Sequence, residues 1–325
     1  MMQNRDIVAH SSDQGDVERA LLAYIARSYY FENASKVEIA ETLQISRFRV
    51  ARLLDRALSE GVVTISINDD GLEDPSLSER LRDHLGLRKC TVIRCYGDED
   101  KVRSQVGSAS AHFLSSTLEE GEVLGLTWGR SLTATTERLQ TLPRLTIVQL
   151  TGSVGGELRS SPVEVARQAS QRSGGATYPI FSPLFIDDPR TAASLREHPD
   201  IKLALDLFSS VTTAVMSVGS WDPLNSQVPE VMPAADVERA RARGCVADIA
   251  GILIGADGEL IDPELQKRCI SISYDQLKQI PTVIAVAAGA EKAEAIKAVT
   301  KAGLITKLVT DHSLAEAALE GDTLV

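Results

Sequence analysis

The sequence predicts an α/β protein in which a small helical domain precedes a larger domain built on a mostly parallel sheet. Its 325 residues exceed what one ordinary hydrophobic core organises. Helical periodicities joined by short turns fill residues 16–68, whereas strand-like runs and helical stretches alternate over the rest of the chain. The polar stretch NDDGLEDP separates the two patterns. We therefore predict a flexible tail over residues 1–15, a helical domain over 16–68 and a larger domain over 69–325.

Composition and charge restrict the class of protein. The net charge of −11, from 34 Lys and Arg against 45 Asp and Glu, is unlike that of a general nucleic-acid binder, so any basic surface must be local. No apolar run approaches the ~20 residues of a membrane span, and the first residues lack the order of a signal peptide. The four cysteines form no C-x-x-C pair and have no histidine at ligand spacing. These features predict a cytoplasmic protein without a metal site, cofactor or membrane partner.

The first domain reads as three helices and a strand. Val17, Leu21, Leu22, Ile25 and Tyr29 form one apolar stripe. A capping box, Ser35 to Glu38, then predicts a short helix to about residue 43. Ser46 caps a longer helix that stops at Gly61, and the alternation in VVTISI, residues 62–67, predicts a strand. A tight turn between the second and third helices is typical of a helix-turn-helix.

The third predicted helix concentrates basic charge in an acidic chain. Residues 47–59 contain four arginines and one acid, Asp55, and the arginines fall largely away from the apolar face. Side chains near the start of such a helix reach base edges, and those further along contact phosphates. The alternative is that the arginines only solvate an exposed helix face. We favour binding of double-stranded DNA, with the candidate contacts Ser35, Ser46, Arg47, Arg49, Arg52 and Arg56.

The larger domain shows strand candidates separated by helical stretches. The strand candidates are CTVIRCY, EVLGLTW, LTIVQL, ATYPIF, TAVMSVG, VADIAGILIG, TVIAVAAG and TKLVT. Three junctions that follow such strands are rich in glycine and hydroxyl residues: TWGRSLT, TGSVGG and AGAEK. In an open α/β sheet, all three would lie at the carboxyl edge, where ligands bind. Each could be only a tight turn, but together with Lys292 in the last one they favour a small phosphorylated ligand.

Three stretches of the chain resemble bacterial regulators of the SorC family. They are SRFRVARLLDRALSEGVV, then GLTWGRSLTATTERL with LTGSVGG, and then GCVADIAG with IPTVIAVAAGAEKAEAIKAVTKAGLITKLVTD. The resemblance runs from about Asp16 to the C-terminus. It implies a helix-turn-helix joined to a sugar-binding domain related in fold to ribose-5-phosphate isomerase and glucosamine-6-phosphate deaminase. It also implies a homotetramer that binds operator DNA and responds to a phosphorylated sugar or related metabolite.

The same resemblance implies a set of effector-binding residues. Carried over onto this sequence, they are Gly129, Arg130, Ser131, Thr133, Gly152, Ser153, Gly289 and Lys292. The chain departs from the family where Ile254-Gly255 stands in place of an aspartate that would bind ligand hydroxyls, so this acid is missing unless Asp257, two residues on, substitutes for it. This departure leaves two alternatives to a common sugar phosphate as effector: a polyol phosphate or a weakly anchored ligand.

Two other functions compete with a regulator of a carbohydrate or polyol operon. A sugar-phosphate isomerase or deaminase would need a general acid and base near the sugar, but the histidines fall in the tail or near helices. The acids Asp222, Asp248, Asp257 and Asp262 are available, although the sequence pairs none of them with a substrate. A protein-interaction module would use the apolar stripe of residues 16–30 for assembly. The arginine-bearing helix favours the regulator, and we predict no catalytic residues.

Overall fold

The computed structural model describes residues 6–64, 71–155 and 158–320, with side chains from residue 17 onwards. The chain forms two compact units, Met1–Asn68 and Asp69–Val325. Among the described residues, no helix has both the length and the apolar character needed to cross a membrane.

The first unit contains the helices α1 (Asp6–Tyr30), α2 (Lys36–Thr42) and α3 (Arg47–Ser59). The predicted start of the first helix at Asp16 is wrong, because α1 already includes residues 6–15. The tail prediction rested on the polar composition of these residues, but polar residues without proline readily extend a nucleated helix. Gly15 costs such a helix only about 1 kcal/mol.

A small apolar core joins the three helices of the first unit. Leu22 and Ile25 of α1, Ile39 of α2, and Val50 and Leu54 of α3 are all buried in it. Because the fully buried side chains of α3 share one face, the opposite face of this helix is left to solvent.

The caps of the first unit agree with the sequence prediction. The Ser35 hydroxyl accepts from the Glu38 amide at 3.2 Å and Glu38 accepts from the Ser35 amide at 2.7 Å, so the capping box is confirmed. The Ser46 hydroxyl accepts from the Arg49 amide at the start of α3. Between these helices, Gln44 has a φ of 55°, which lets the chain reverse within a short turn.

The predicted strand over residues 62–67 is not formed where the structure describes it. Residues 62–64 lie in a bend, and the amide of Val63 donates to the Ala57 carbonyl instead of to a neighbouring strand. Residues 65–67 lie outside the described part. Val62 and Val63 instead pack on the helical core, which accounts for their apolar character.

The second unit alternates strands and helices. Its α-helices are α4 (Pro75–Leu85), α5 (Glu99–Thr117), α6 (Arg130–Thr136), α7 (Pro162–Ser173), α8 (Pro189–Arg196), α9 (Pro199–Leu205), α10 (Val228–Val231), α11 (Ala234–Ala242), α12 (Pro263–Gln266), α13 (Tyr274–Gln279), α14 (Ala293–Lys301) and α15 (His312–Glu320). Its strands are β1 (Leu72–Glu73), β2 (Lys89–Arg94), β3 (Val123–Leu126), β4 (Thr146–Gln149), β5 (Thr177–Tyr178), β6 (Thr213–Ser217), β7 (Gly219–Trp221), β8 (Leu224–Asn225), β9 (Cys245–Ile249), β10 (Ile252–Gly255), β11 (Thr282–Val286) and β12 (Lys307–Asp311).

The larger sheet has the strand order β1-β2-β12-β11-β6-β3-β4-β5 in the described residues, and every pairing except β1 with β2 is parallel. Its central strands are buried on both faces. Met216 belongs to one core, whereas its neighbour Val215 belongs to the other, because successive side chains of a strand point to opposite faces. The α/β fold class, with a parallel-rich sheet covered by helices on both faces, is therefore confirmed.

A smaller antiparallel sheet, in the order β10-β9-β7-β8, was not predicted. The run VADIAGILIG is not one strand, as its apolar character suggested, but the hairpin of β9 and β10. Ala250 and Gly251 make the turn with φ values of 56° and 80°. A two-residue turn with two positive φ angles joins antiparallel strands directly, so a long apolar run folds back on itself here.

Candidate functional site

A cleft lies where three neighbouring strands of the larger sheet end. β3, β6 and β11 are adjacent in the sheet, and the segments that follow them line the cleft on one side. The smaller sheet supplies the other side, through β7, β8 and β9. The cleft encloses about 560 Å³, part of it open to solvent.

The first glycine-rich turn forms one wall of the cleft. Gly129, Arg130 and Ser131 line it as predicted. Gly129 has φ 128° and ψ 160°, and a Cβ at this position would lie 2.7 Å from the Ser217 hydroxyl. Only glycine adopts this backbone conformation without strain, so it lets β3 pass directly into α6 beside β6.

Lys292 is a buried cation in the cleft. Its side chain reaches the end of β6, where Nζ donates to the Val218 carbonyl at 2.7 Å, and the residue is only 8% exposed. Burial, together with the nearby Arg130, lowers the pKa of this ammonium to about 8. The charge of Lys292 is therefore poorly compensated by the protein.

Arg130 connects the first wall to the smaller sheet. Its guanidinium donates to the Asn225 side-chain oxygen at the end of β8 and lies 3.7 Å from a Glu99 oxygen. The amide nitrogen of Asn225 donates in turn to Glu291 at 2.8 Å. Arg103, which also lines the cleft, pairs with Glu99 and with Asp100.

A buried carboxylate lies beside these cations. Asp248 of β9 accepts from the Trp221 indole N–H at 2.9 Å and from the Ser226 hydroxyl. Burial raises the pKa of Asp248 above the usual value of an aspartate, although the two hydrogen bonds and Lys292 oppose this shift. The sequence had presented Asp248 only as one of several available acids.

Two hydroxyl groups of the cleft lack protein partners. Thr127 Oγ1, after β3, and Ser217 Oγ, at the end of β6, are both buried and accept or donate no hydrogen bond in the described structure. Buried polar groups without partners are uncommon in proteins. These hydroxyls are therefore available to a polar ligand, and nothing in the sequence distinguished Ser217.

The second glycine-rich turn does not contribute to the cleft. The amide of Gly152 donates to the Ile270 carbonyl at 2.6 Å, and that of Ser153 donates to the Ser182 carbonyl at 2.7 Å. Because these amides are already used in backbone pairing, they cannot bind a phosphate. The effector contacts expected at Gly152 and Ser153 from the family resemblance therefore stay a prediction, which these backbone hydrogen bonds do not support.

Three other predicted effector residues also lie off the cleft wall. The Thr133 hydroxyl donates to the Gly129 carbonyl, and this residue lines an adjoining groove. The Gly289 amide donates to Asp311 at 2.7 Å, so Gly289 supports the turn that carries Lys292. Asp257 follows β10, has a side chain that is 93% exposed, and lies 3.8 Å from Lys301. The substitution by Asp257 stays a prediction, although the turn after β10 points its side chain to solvent in this structure.

The candidate DNA-binding residues cluster on α2 and α3. Arg47, Arg49 and Arg52 are exposed. Arg56 instead pairs with Glu18 at 2.6 Å and Glu60 at 2.8 Å, which raises its pKa and ties it to α1 and to the end of α3.

Ser35, Ser46 and Phe48 lie at the starts of α2 and α3. Ser35 and Ser46 cap α2 and α3, as their hydrogen bonds show. Phe48 also stands on α3 and is 68% exposed, although the sequence prediction omitted it.

Residues 71–320 match a family model described as "Putative sugar-binding domain". Among curated relatives, the transcriptional regulator LsrR of Escherichia coli O139:H28 is 28% identical over 316 residues, covering 95% of this chain and 97% of the relative. The erythritol catabolism regulatory protein EryD of Brucella abortus is 26% identical over 310 residues, covering 93% and 97%. The full-length sorbitol operon regulator SorC of Klebsiella pneumoniae has a similar structure, with a TM-score of 0.71, 26% identity and coverage of 93% and 99%. The chain therefore belongs to this sugar-binding domain family, and the SorC-family resemblance stated from its sequence is confirmed.

Proposed function

We propose that this chain is a DNA-binding regulator of a carbohydrate or polyol catabolic operon, and that a phosphorylated sugar-like effector controls its affinity for operator DNA. Its relatives support this role, since LsrR, EryD and SorC are named as regulators, two of them for erythritol catabolism and a sorbitol operon. The same names favour a regulator over a sugar-phosphate isomerase or deaminase. We still propose that residues 69–325 are related in fold to ribose-5-phosphate isomerase and glucosamine-6-phosphate deaminase.

One observation carries the effector proposal: the cleft places a buried, poorly compensated ammonium beside a guanidinium and two hydroxyls without partners. Lys292 and Arg130 supply the positive charge, and Thr127 and Ser217 supply the hydroxyls. A phosphate carries the opposite charge and several acceptor oxygens, so it satisfies all four groups at once. Gly129 allows its close approach to the backbone.

The carboxylate of Asp248 gives this cleft a preference for a hydroxylated ligand. A carboxylate has room for about four hydrogen bonds, whereas Trp221 and Ser226 donate two. A sugar or polyol hydroxyl would donate to the remaining positions. We therefore propose that the phosphate binds near Lys292 and Arg130, while Asp248 binds the hydroxylated carbon chain.

For the first unit, we propose a helix-turn-helix over residues 16–68 with α3 as the recognition helix. The supporting geometry is the short turn at Gln44 and the exposed arginines on the face opposite the core. Arg47 and Arg49 of the first turn would contact bases, and Arg52 would contact phosphate. Ser35 and Ser46 would contact backbone phosphates at the two helix starts, and Arg56 would do so after exchanging its carboxylate partners.

We further propose that the protein acts as a cytoplasmic homo-oligomer, most simply a tetramer. Two recognition helices related by two-fold symmetry match palindromic half-sites and multiply modest individual contacts. Effector binding would change the arrangement of effector domains and thereby the spacing of the recognition helices. The size of this response cannot exceed the difference in effector affinity between the two arrangements.

The proposal is tested by thermal denaturation with a panel of four- to six-carbon sugar phosphates and polyol phosphates, each beside its unphosphorylated form. We expect a phosphorylated compound alone to raise the midpoint, and that compound to change retardation of the gene's upstream DNA in gel shifts. A response to the unphosphorylated forms alone would contradict the phosphate site. No retardation at low salt, with or without effector, would contradict the regulator.

A further inference from the structure

The N-terminal turn of α3 carries an exposed aromatic ring that its own fold does not need. Phe48 is 68% exposed, whereas Val50, Leu53, Leu54 and Ala57 supply the buried face of this helix. The ring therefore lies outside the helical core. It stands between two exposed arginines, Arg47 and Arg49, on a turn that is otherwise hydrophilic.

The ring and its neighbouring guanidinium are organised as a pair. The Arg47 guanidinium carbon lies 5.0 Å from the centroid of the Phe48 ring. Contact of a guanidinium with an aromatic face holds both side chains in a restricted arrangement. One apolar and one cationic surface are thus presented together, before any ligand is bound.

We propose that Phe48 contacts the C5-methyl group of a thymine in the operator, next to the base pair that Arg47 reads. This inference rests on the proposed DNA-binding function. In the major groove, thymine differs from other bases by a methyl group, which only an apolar side chain can recognise. Residues at the start of a recognition helix are those that reach base edges. Phe48 is the large apolar side chain exposed at this position, and the adjacent arginines draw the same turn to DNA.

The chemistry of this contact separates it from the arginine contacts. Removal of one buried methyl group weakens an apolar contact by a factor of about three to ten. Because the ring carries no charge, its removal leaves the salt dependence of binding unchanged. Removal of an arginine that neutralises a phosphate reduces that dependence.

The test uses the full-length protein and a duplex selected by it from a randomised DNA library at fixed salt. Each thymine of the selected duplex is replaced in turn by 2′-deoxyuridine, which lacks only the methyl group. We expect one position in each half-site at which the wild-type protein loses about three- to tenfold in affinity. The Phe48→Ala variant should bind the thymine and deoxyuridine duplexes equally, and Phe48→Leu should keep part of the discrimination.

A control variant tests whether the loss of any exposed aromatic ring of this unit would change the discrimination between thymine and deoxyuridine. Phe31→Ala removes a ring of the same unit that is 85% exposed and lies outside α3, and it should retain full discrimination. Because Phe48 is exposed, its variants should keep the thermal midpoint of the wild type, which verifies folding.

The possible outcomes separate this inference from the proposed function. Equal binding of every deoxyuridine duplex by the wild-type protein, or retained discrimination by Phe48→Ala, overturns the thymine contact while leaving DNA binding intact. A Phe48→Ala variant that changes oligomeric state, with no sensitivity to the methyl group, also overturns it and assigns the ring to contact with a second copy. Failure of the library to yield any bound duplex overturns both proposals.

Discussion

Lys292 Nζ lies 2.7 Å from the carbonyl oxygen of Val218, and this hydrogen bond joins the turn after β11 to the end of β6. A neutral carbonyl accepts from the ammonium but does not neutralise its charge. Asp248 is close enough to attract the ammonium, yet its own hydrogen bonds come from Trp221 and Ser226. These contacts leave the charge of Lys292 only partly compensated, which supports the proposed binding of an anion in the cleft.

Replacement of Lys292 by methionine should remove the effector response and spare DNA binding. A charge-assisted hydrogen bond to phosphate contributes about 1.5–3 kcal/mol, so effector affinity should fall at least tenfold. Isothermal titration with the phosphorylated effector measures this loss, and gel shifts without effector should match the wild type. Lys301→Met is the control, because Lys301 is an exposed lysine at the far end of α14, the helix that follows Lys292. An unchanged effector affinity in Lys292→Met would assign the phosphate to another site.

The lowered pKa of Lys292 predicts a specific dependence of stability on pH. Its pKa is about 8 in the folded chain and 10.5 as an ordinary lysine, so the unfolded chain binds more protons between these values. The free energy of unfolding should therefore rise with pH across this window, by roughly 3 kcal/mol at most. Urea denaturation from pH 7 to 10 should show this rise as a difference between wild type and Lys292→Met. Parallel pH profiles of the two proteins would contradict it.

The sequence predicted the strand ends and one wall of the cleft, but it did not predict which turns meet. TWGRS follows β3 and AGAEK follows β11, and these two strands flank β6 in the sheet. The strand order that brings the two turns to the same cleft could not be read from the sequence. TGSVGG has the same composition, yet Gly152 and Ser153 pair with other backbone segments. Asp248 lies within the apolar run VADIAGILIG, and Asp257 follows that run, so the sequence did not show which of them is buried. The hairpin at Ala250 buries Asp248 in β9 and leaves Asp257 exposed after β10.

This distinction between the two aspartates gives a further prediction. Asp248→Ala should destabilise the protein by about 2–4 kcal/mol, because the buried Trp221 indole and the Ser226 hydroxyl would lose their acceptor. Asp248→Ala should also lower the affinity for the effector. This loss should persist well below the melting temperature, where the variant is folded and destabilisation alone cannot account for it. Asp257→Ala should change neither property, since its side chain is exposed. Loss of the effector response in Asp257→Ala would restore the expectation drawn from the sequence.

Replacement of Arg47 by alanine should weaken operator binding and relax its base preference. Loss of one bidentate contact to a base costs about 1–3 kcal/mol of discrimination, which corresponds to roughly five- to 150-fold at the affected base pair. Binding to a panel of single base-pair variants of the selected duplex measures the preference. Arg19→Ala, an exposed arginine of α1, should reduce binding little and equally across the panel. A uniform loss across the panel for Arg47→Ala would make it a phosphate contact instead.

Replacement of Gly129 by alanine should impair the cleft through backbone strain and a steric clash. Its φ of 128° and ψ of 160° lie where an alanine is strained by about 1–3 kcal/mol, and the added Cβ would lie 2.7 Å from Ser217 Oγ. Ser217 and the turn must then separate, so we expect both lower stability and at least a tenfold loss of effector affinity. Gly174→Ala is the matched control: its φ is also positive, at 65°, but its Cβ would meet no atom within 4 Å. It should cost about 1 kcal/mol of stability and leave effector affinity unchanged, as calorimetric melting and titration would show. Equal effects of the two substitutions on affinity would mean that the close approach of Gly129 to Ser217 has no part in effector binding.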